Sequence, residues 1–420
     1  MREKKIRFFG YFARVLLRTY NPFVIVIAGT DGKRSTATAI SHTIRADTLF
    51  LGNQDEDILG AIAVLFRVAH APKKLLDYPL FFFKILLFLI WPQRYPEFVV
   101  MELEAMEPGD MRYAGEIFMP DILVFPAIAI SPENASFQNN RSIQKEYSDI
   151  LHYLQADGYI VANTDDNNSF AMTRIARHKR CVSYGFHGES QLLLSDYRIV
   201  YAESYGGPSM PSGIDYTISY NDETFGCHRS QTVGHLHAYT GAAAFVVSDI
   251  LQVPPTIAID KIAQATIAPG RMKLITGIKD TMIIDDSYHA SPASIESGLQ
   301  MLGEINVPGR KIAILGDMIG LGIFSEEEHK KIGAVIAETC DACLCVGVRS
   351  QYYIDGALAA GFPEENIFHF DDSQSAGKFI EQLSNPGDIM FVKGSRHMRM
   401  ELAVLEIMQN PELAKYKLVN

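Results

Sequence analysis

Asn21–Ile44, NPFVIVIAGTDGKRSTATAISHTI, is the stretch that decides the fold. Val24 to Ala28 is a short unbroken apolar run, the pattern of a strand buried on both faces of a parallel sheet. Gly29 and Gly32 punctuate a turn, and from Ser35 onward the residues read as a helix. Strand, glycine turn and helix in that order make an anion site. Glycines let backbone N–H groups close on phosphate oxygens, and the helix presents its positive N-terminus to the same group. Gly29, Thr30, Asp31, Gly32, Lys33, Arg34 and Ser35 are therefore the candidate nucleotide-phosphate loop, with Lys33 reaching the outer phosphates. One position is off pattern. A loop of this type places Ser or Thr directly after the lysine to hold Mg²⁺, but Arg34 stands there, a cation that cannot ligate metal. Ser35 takes that role only if the turn shifts by one residue.

Apolar strand cores recur downstream: Glu97–Leu103 (EFVVMEL), then PDILVF and GYIVAN, at loop-separated intervals. Strands alternating with helical stretches give an α/β class with a parallel sheet. Residues 184–233 look different, with short alternating strands and turn residues, and read as a small antiparallel insert. From Gly270 the rhythm restarts through TMIIDDSYH, RKIAILGD, ACLCVGV, NIFHF and DIMFVKGS. The expected organisation is a basic amphipathic helix (1–23), a P-loop central domain (24–268) carrying the insert, and a second parallel-sheet domain (269–420).

Open α/β sheets bind ligands at strand carboxyl ends, and the polar residues of this chain gather there. Glu102 ends its strand as either a Mg²⁺ or amine-orienting carboxylate or a plain strand-end acid facing solvent. Asp165 and Asp166 read first as turn formers. Asp285 and Asp286 end TMIIDD, Asp317 ends AILGD, and Lys393, Ser395 and Arg396 follow DIMFV. Two such rims facing each other make a cleft, and Arg271, just past the domain boundary, is placed to swing onto the phosphates when it closes.

Composition narrows the classes. With 420 residues, 48% hydrophobic and 21% charged, the chain is a multidomain globular protein, and wholesale disorder is excluded. A net charge of −11 argues against bulk affinity for nucleic acid. Five cysteines, three of them crowded in CDACLCVG, read as buried strand thiols in a reducing, cytoplasmic compartment, with no metal expected there. Residues 1–20 carry Arg2, Lys4, Lys5, Arg7, Arg14 and Arg18 against Glu3; Arg14 and Arg18 break any signal-peptide core. Pro79–Trp91 (PLFFFKILLFLIW) is 13 residues long and contains Lys84, too short to span a bilayer of about 30 Å. Both stretches read as helices packed on a soluble domain, with peripheral contact to an anionic membrane as the alternative.

The ordered segments GTDGKRST, VVMELEAMEPGDM, PDILVF, ANTDD, GRMKLI, IIDDSYHASPASI, AILGDMIGLG, SEEEHKKIG and VKGSRHMRME resemble the Mur ligase family. The resemblance implies a central ATPase domain and a Rossmann-like C-terminal domain. It further implies ATP-driven amide formation through an acyl phosphate, here adding D-alanyl-D-alanine or a similar amine to the carboxyl of a peptidoglycan-precursor peptide. Carried over by position, Lys33 and its loop bind the ATP phosphates, Glu102 ligates Mg²⁺ and Arg271 reaches the phosphates. Asp286 contacts the ribose, and Asp317, Lys393, Ser395 and Arg396 surround the incoming amine.

The departures from the family pattern cluster at this same site. Besides Arg34, Pro132 falls in the loop where the metal-binding histidine is expected, and Tyr147 falls where the family carbamylates a lysine, with Lys145 two residues away. Leu236 and Thr240 replace His and Asn, flanked by His235 and His237, and His289 replaces Asn. About 23 residues precede the first strand, so the expectation is a chain without the family's N-terminal uridine-nucleotide domain. Three readings remain: an active cytoplasmic ligase; a catalytically impaired paralogue that binds nucleotide or precursor as the partner of an active Mur ligase; and a ligase of another amino-acid polymer.

Overall fold

The computed structural model describes every residue except 1, 45–47, 52–57, 69, 73, 75, 92–93, 131–135, 138, 203–208 and 420. Its first half is built on β1 (Phe23–Ala28), β2 (Thr48–Leu51), β3 (Phe98–Leu103), β4 (Ile122–Phe125), β5 (Tyr159–Asn163), β6 (Arg180–Gly185), β7 (Leu192–Ala202), β8 (Met210–Tyr220) and β9 (Glu223–Ser230). They form one sheet in the order β2-β3-β1-β4-β5-β6-β7-β8-β9. β1 runs parallel between β3 and β4, so its carboxyl end lies in the middle of the parallel part. Successive side chains of β1 enter opposite cores: Val24, Val26 and Ala28 one, Ile25 and Ile27 the other. That two-sided burial is why the run has no polar alternation.

Helices α1 (Arg2–Tyr20), α3 (Ile58–Leu65), α4 (Asp77–Ile90), α5 (Asp110–Phe118), α6 (Asn140–Asp149) and α7 (Asn167–Ile175) cover the first face. The second carries α2 (Lys33–Thr43), α8 (His235–Ile250) and α9 (Pro255–Gln264). The stretch expected as a small antiparallel insert does carry antiparallel strands, and it is continuous with this sheet. β7 joins β6 in parallel through Tyr184↔Leu192 and Gly185↔Leu193, and β8 and β9 follow antiparallel.

The second sheet runs β10 (Lys273–Thr276), β11 (Met282–Asp286), β15 (Ile389–Lys393), β12 (Lys311–Gly316), β13 (Ala342–Val346), β14 (Ile367–Phe370). β10 is antiparallel to β11, an edge the sequence reading did not anticipate because four residues carry too little pattern. α10 (Pro292–Glu304), α11 (Ser325–Thr339) and α12 (Gln351–Ala359) pack on one face, and α13 (Ser373–Leu383) and α14 (Glu401–Ile407) on the other. α15 (Ala414–Lys417) closes the chain. Among the described residues no helix is long and apolar enough to cross a membrane.

β15 carries the polar residues at its carboxyl end on a wholly buried base. Phe391 is 0% exposed, and Gly298 of α10 lies so close that a Cβ there would sit 2.2 Å from the Phe391 ring. Phe391→Ala should therefore cost the second domain about 3–5 kcal/mol, read as a lower urea midpoint for its transition.

Candidate functional site

The phosphate loop is held by its neighbours. Gly29 N–H donates to the Leu103 carbonyl at 3.3 Å and Thr30 N–H to that of Ala127 at 2.8 Å, tying the end of β1 to the ends of β3 and β4. A Cβ at residue 29 would meet the Ala127 oxygen at 2.5 Å, so the approach needs glycine. Gly32, at φ 78°, takes the left-handed turn that lets α2 begin at Lys33. The first-turn N–H groups of that helix lack intrahelical acceptors and face the strand ends.

Tyr147 supports this loop from beneath. It is fully buried, donates its hydroxyl to the Gly29 carbonyl at 2.8 Å and accepts from Ala105 N–H at 3.2 Å. The residue at the expected carbamyl-lysine position is thus a strut for the phosphate loop and the segment after β3.

Lys33 is buried and committed. Its Nζ lies 2.6 Å from Glu104 Oε2 and 2.8 Å from the Thr30 carbonyl, with both side chains of the ion pair about 5% exposed. Glu104 was not singled out from the sequence. The signal was present, because Glu102 and Glu104 lie two apart and an extended chain sends both to the same side. Glu102 is also buried, with Arg34 Nη1 3.9 Å from its Oε1.

The second domain completes the cavity. A space of about 160 Å³ is lined by Lys33, Arg34, Glu102 and Glu104 together with Arg271 and Arg396. Arg271 stacks its guanidinium 4.5 Å from the Tyr288 ring centroid, and Arg396 holds Glu401 at 3.0 Å. An adjoining cavity of about 410 Å³ takes Asp31, Gly32, His235 and Leu236 from the first domain and Asp286, His289 and Lys393 from the second. Lys393, 2% exposed, sits 2.6 Å from Asp286 Oδ2 and donates to the His289 carbonyl at 2.7 Å. Beside it, burial pushes the Asp285 carboxyl up to about 6.

Not every expected residue meets there. Gly29, Ser35, Asp317 and Ser395 line neither cavity. Asp317 accepts from Arg349 N–H at 3.2 Å and Ser350 N–H at 2.7 Å, and Ser395 Oγ accepts from Ile319 N–H at 2.9 Å, so these two shape the rim loops. Asp166 caps α7, and Asp165 binds the Phe186 amide, Tyr239 and His187, the turn roles expected of them. His235 stacks on Tyr197 at 4.0 Å, while Thr240 donates to the His237 carbonyl. Pro132 lies outside the described residues.

The cationic set fits a polyphosphate chain with a nucleoside in the larger cavity. For Mg²⁺, which binds through one or two carboxylates plus phosphate oxygens and water, Glu102 is the donor that fits, since Glu104 is engaged by Lys33. No group of three or more His, Cys, Asp or Glu able to hold a metal occurs among the described residues.

Comparison with known proteins places both halves of the chain in one family. The Mur ligase middle domain matches residues 27–221, and the Mur ligase glutamate ligase domain matches residues 270–396. The UDP-N-acetylmuramoyl-tripeptide–D-alanyl-D-alanine ligase of Bacillus subtilis (strain 168) is 23% identical over 75% of this chain and 65% of its own length. That of Escherichia coli (strain K12) is 24% identical over 96% and 80%. The chain thus spans just under two thirds of the Bacillus relative. Among solved structures, MurF from Acinetobacter baumannii aligns with a TM-score of 0.75 at 20% identity, covering 94% of this chain and 79% of that one. MurF from Thermotoga maritima in complex with ADP aligns at 0.73 and 19%, covering 95% and 82%.

His237 links the two domains at this site. Its Nε2 donates to the Arg271 carbonyl at 3.1 Å, and burial lowers its pKa to about 3, so the imidazole is neutral. An unfolded histidine takes its proton near 6.5, so the stability present above that pH is lost progressively as pH falls toward 3. His237→Gln keeps an N–H donor without the titration. The wild-type minus variant difference in unfolding free energy from urea titrations should fall as pH drops across that window, and a difference constant with pH would refute the assignment.

Proposed function

We propose, from the premise that this chain belongs to the Mur ligase family, that it is an ATP-dependent ligase forming an amide bond on a peptidoglycan-precursor peptide. The amine is D-alanyl-D-alanine or a close analogue, as the names of the relatives suggest. The observation that carries the reading is the convergence of Lys33, Arg34, Arg271 and Arg396, from both domains, on one small cavity bordered by Glu102.

In this reading the four cations neutralise and align the ATP phosphates while Asp286, held by Lys393, faces the ribose in the larger cavity. The precursor carboxylate attacks the γ-phosphorus, ADP leaves, and the amine then displaces phosphate from the acyl phosphate and loses a proton. Mg²⁺ held by Glu102 would supply further charge neutralisation on the phosphates. Asp317 and Ser395 act on the amine side through the loops they hold.

One observation favours a second reading, a catalytically impaired paralogue that binds nucleotide or precursor and works beside an active ligase. The buried Lys33–Glu104 pair occupies the lysine that the phosphates need, and breaking such a pair is costly.

Calorimetry of ATP with and without Mg²⁺, followed by phosphate release on adding muramoyl tripeptide and D-alanyl-D-alanine, separates the two. Mg²⁺-dependent binding with amine-dependent phosphate release is expected; binding without turnover favours the impaired paralogue. Glu104→Gln should tighten ATP binding about tenfold by releasing Lys33. Arg34→Thr should increase the Mg²⁺ dependence of binding, because a hydroxyl replaces the guanidinium beside Glu102; an unchanged Mg²⁺ titration would remove that role for Arg34.

A further inference from the structure

α1 and α4 pack along each other on the outside of the first domain. Lys5 lies over the Tyr78 ring at 3.9 Å, Phe9 meets Phe81 at 4.9 Å, and Phe8 and Phe12 both contact Phe82. Each helix therefore buries one face: Ile6, Phe9, Ala13 and Leu16 on α1, Phe81 and Ile85 on α4.

The opposite faces stay apolar. On α1, Phe8 (50% exposed), Tyr11 and Val15 recur at helical spacing, with Lys4 at one end of the stripe and Arg18 at the other. On α4, Leu80, Phe83, Leu87 and Ile90 continue a second stripe that ends at Trp91, 76% exposed. Clustered exposure of this kind marks an interaction surface.

Charge identifies the partner. The chain as a whole carries −11, yet α1 holds six cations against one acid. That acid, Glu3, is paired with Arg7 at 2.9 Å. Lys74 and Lys84 add exposed cations on and before α4, whose first-turn Asp77 accepts from the Lys74 N–H at 2.9 Å. Two parallel apolar stripes edged by lysine and arginine, with an aromatic residue at the helix end, match the headgroup boundary of an anionic bilayer. At about 1.5 Å per residue, 14 residues of α4 reach about 21 Å, short of a span, so the pair lies in the interface plane.

We propose that the exposed face of α1 and α4 docks the protein on an anionic membrane surface, with Phe83, Leu87, Ile90 and Trp91 entering the headgroup region and Lys4, Arg18 and Lys84 pairing with lipid phosphates.

The chain has a single tryptophan, and it lies on this face, so its fluorescence reports the event directly. The full-length protein is titrated, without nucleotide or substrate, with vesicles of equal parts phosphatidylcholine and phosphatidylglycerol. A blue shift of Trp91 emission and co-sedimentation are expected, both weakened by salt and by pure phosphatidylcholine vesicles. Phe83→Asp with Leu87→Asp changes two half-exposed side chains; it should raise the lipid concentration for half-binding at least about tenfold while leaving the urea midpoint unchanged. Lys4→Glu with Arg18→Glu should remove the preference for anionic lipid. Three outcomes overturn the proposal: no shift with anionic vesicles, undiminished binding by the aspartate variant, or a stable homodimer in which Trp91 is already shielded. Because neither ATP nor precursor enters the assay, its failure leaves the ligase reading untouched, and the converse holds.

Discussion

The site depends on one constraint, the placement of β1 between β3 and β4 in parallel register. It brings three strand ends together, and the first two residues of the phosphate loop spend their N–H groups on the carbonyls beside them. Gly29 is pressed against Ala127, and Tyr147 fastens its carbonyl from below. Each bond contributes only about 1 kcal/mol, but together they leave the loop one conformation. That conformation aims the N-terminus of α2 and fixes how far Lys33 can reach. Tyr147 thus serves this loop as a structural group.

Three of the four cations that line the cavity already face a carboxylate. Lys33 is matched by Glu104, Arg34 faces Glu102, and Arg396 holds Glu401. A polyanion entering this space exchanges carboxylate partners for phosphate oxygens, so its gain is a difference between two sets of ion pairs. That difference favours a ligand with several charges in a row over a single phosphate. Arg271, stacked on Tyr288 with its backbone carbonyl held by His237, is the cation whose position depends on the meeting of the two domains.

Much of this was legible in the sequence because it is local. The apolar run before Gly29, the glycines themselves and the polar residues at strand ends follow from pattern alone, and the ordered segments carried the family. What escaped depends on contacts between distant segments. The Lys33–Glu104 pair joins residues 71 apart, and the Tyr147–Gly29 bond joins residues 118 apart. Asp317 and Ser395 were placed correctly at strand ends, yet no sequence pattern distinguishes a strand-end side chain aimed into a cleft from one that knots its own loop. The span read as an insert was strand-like as expected; its continuity with the sheet rests on two residue pairs, Tyr184↔Leu192 and Gly185↔Leu193.

α1 belongs to both halves of the account. Its inner face is part of the first core, and Gly10 allows contact with Ile117 of α5 so close that a Cβ would meet the side chain at 2.6 Å. Its first turn is tied to the segment that follows Glu102 and Glu104, where Arg2 grips Asp110 at 2.6 Å and Glu107 at 3.1 Å. The outer stripe of α1 runs beside that of α4. On the proposed docking surface, the segregation of positive charge onto α1, in a chain that is otherwise strongly acidic, would orient the molecule in the field of an anionic bilayer before any side chain makes contact. Recognition by charge and insertion by apolar side chains are consequently separable steps, carried by different residues of the same two helices.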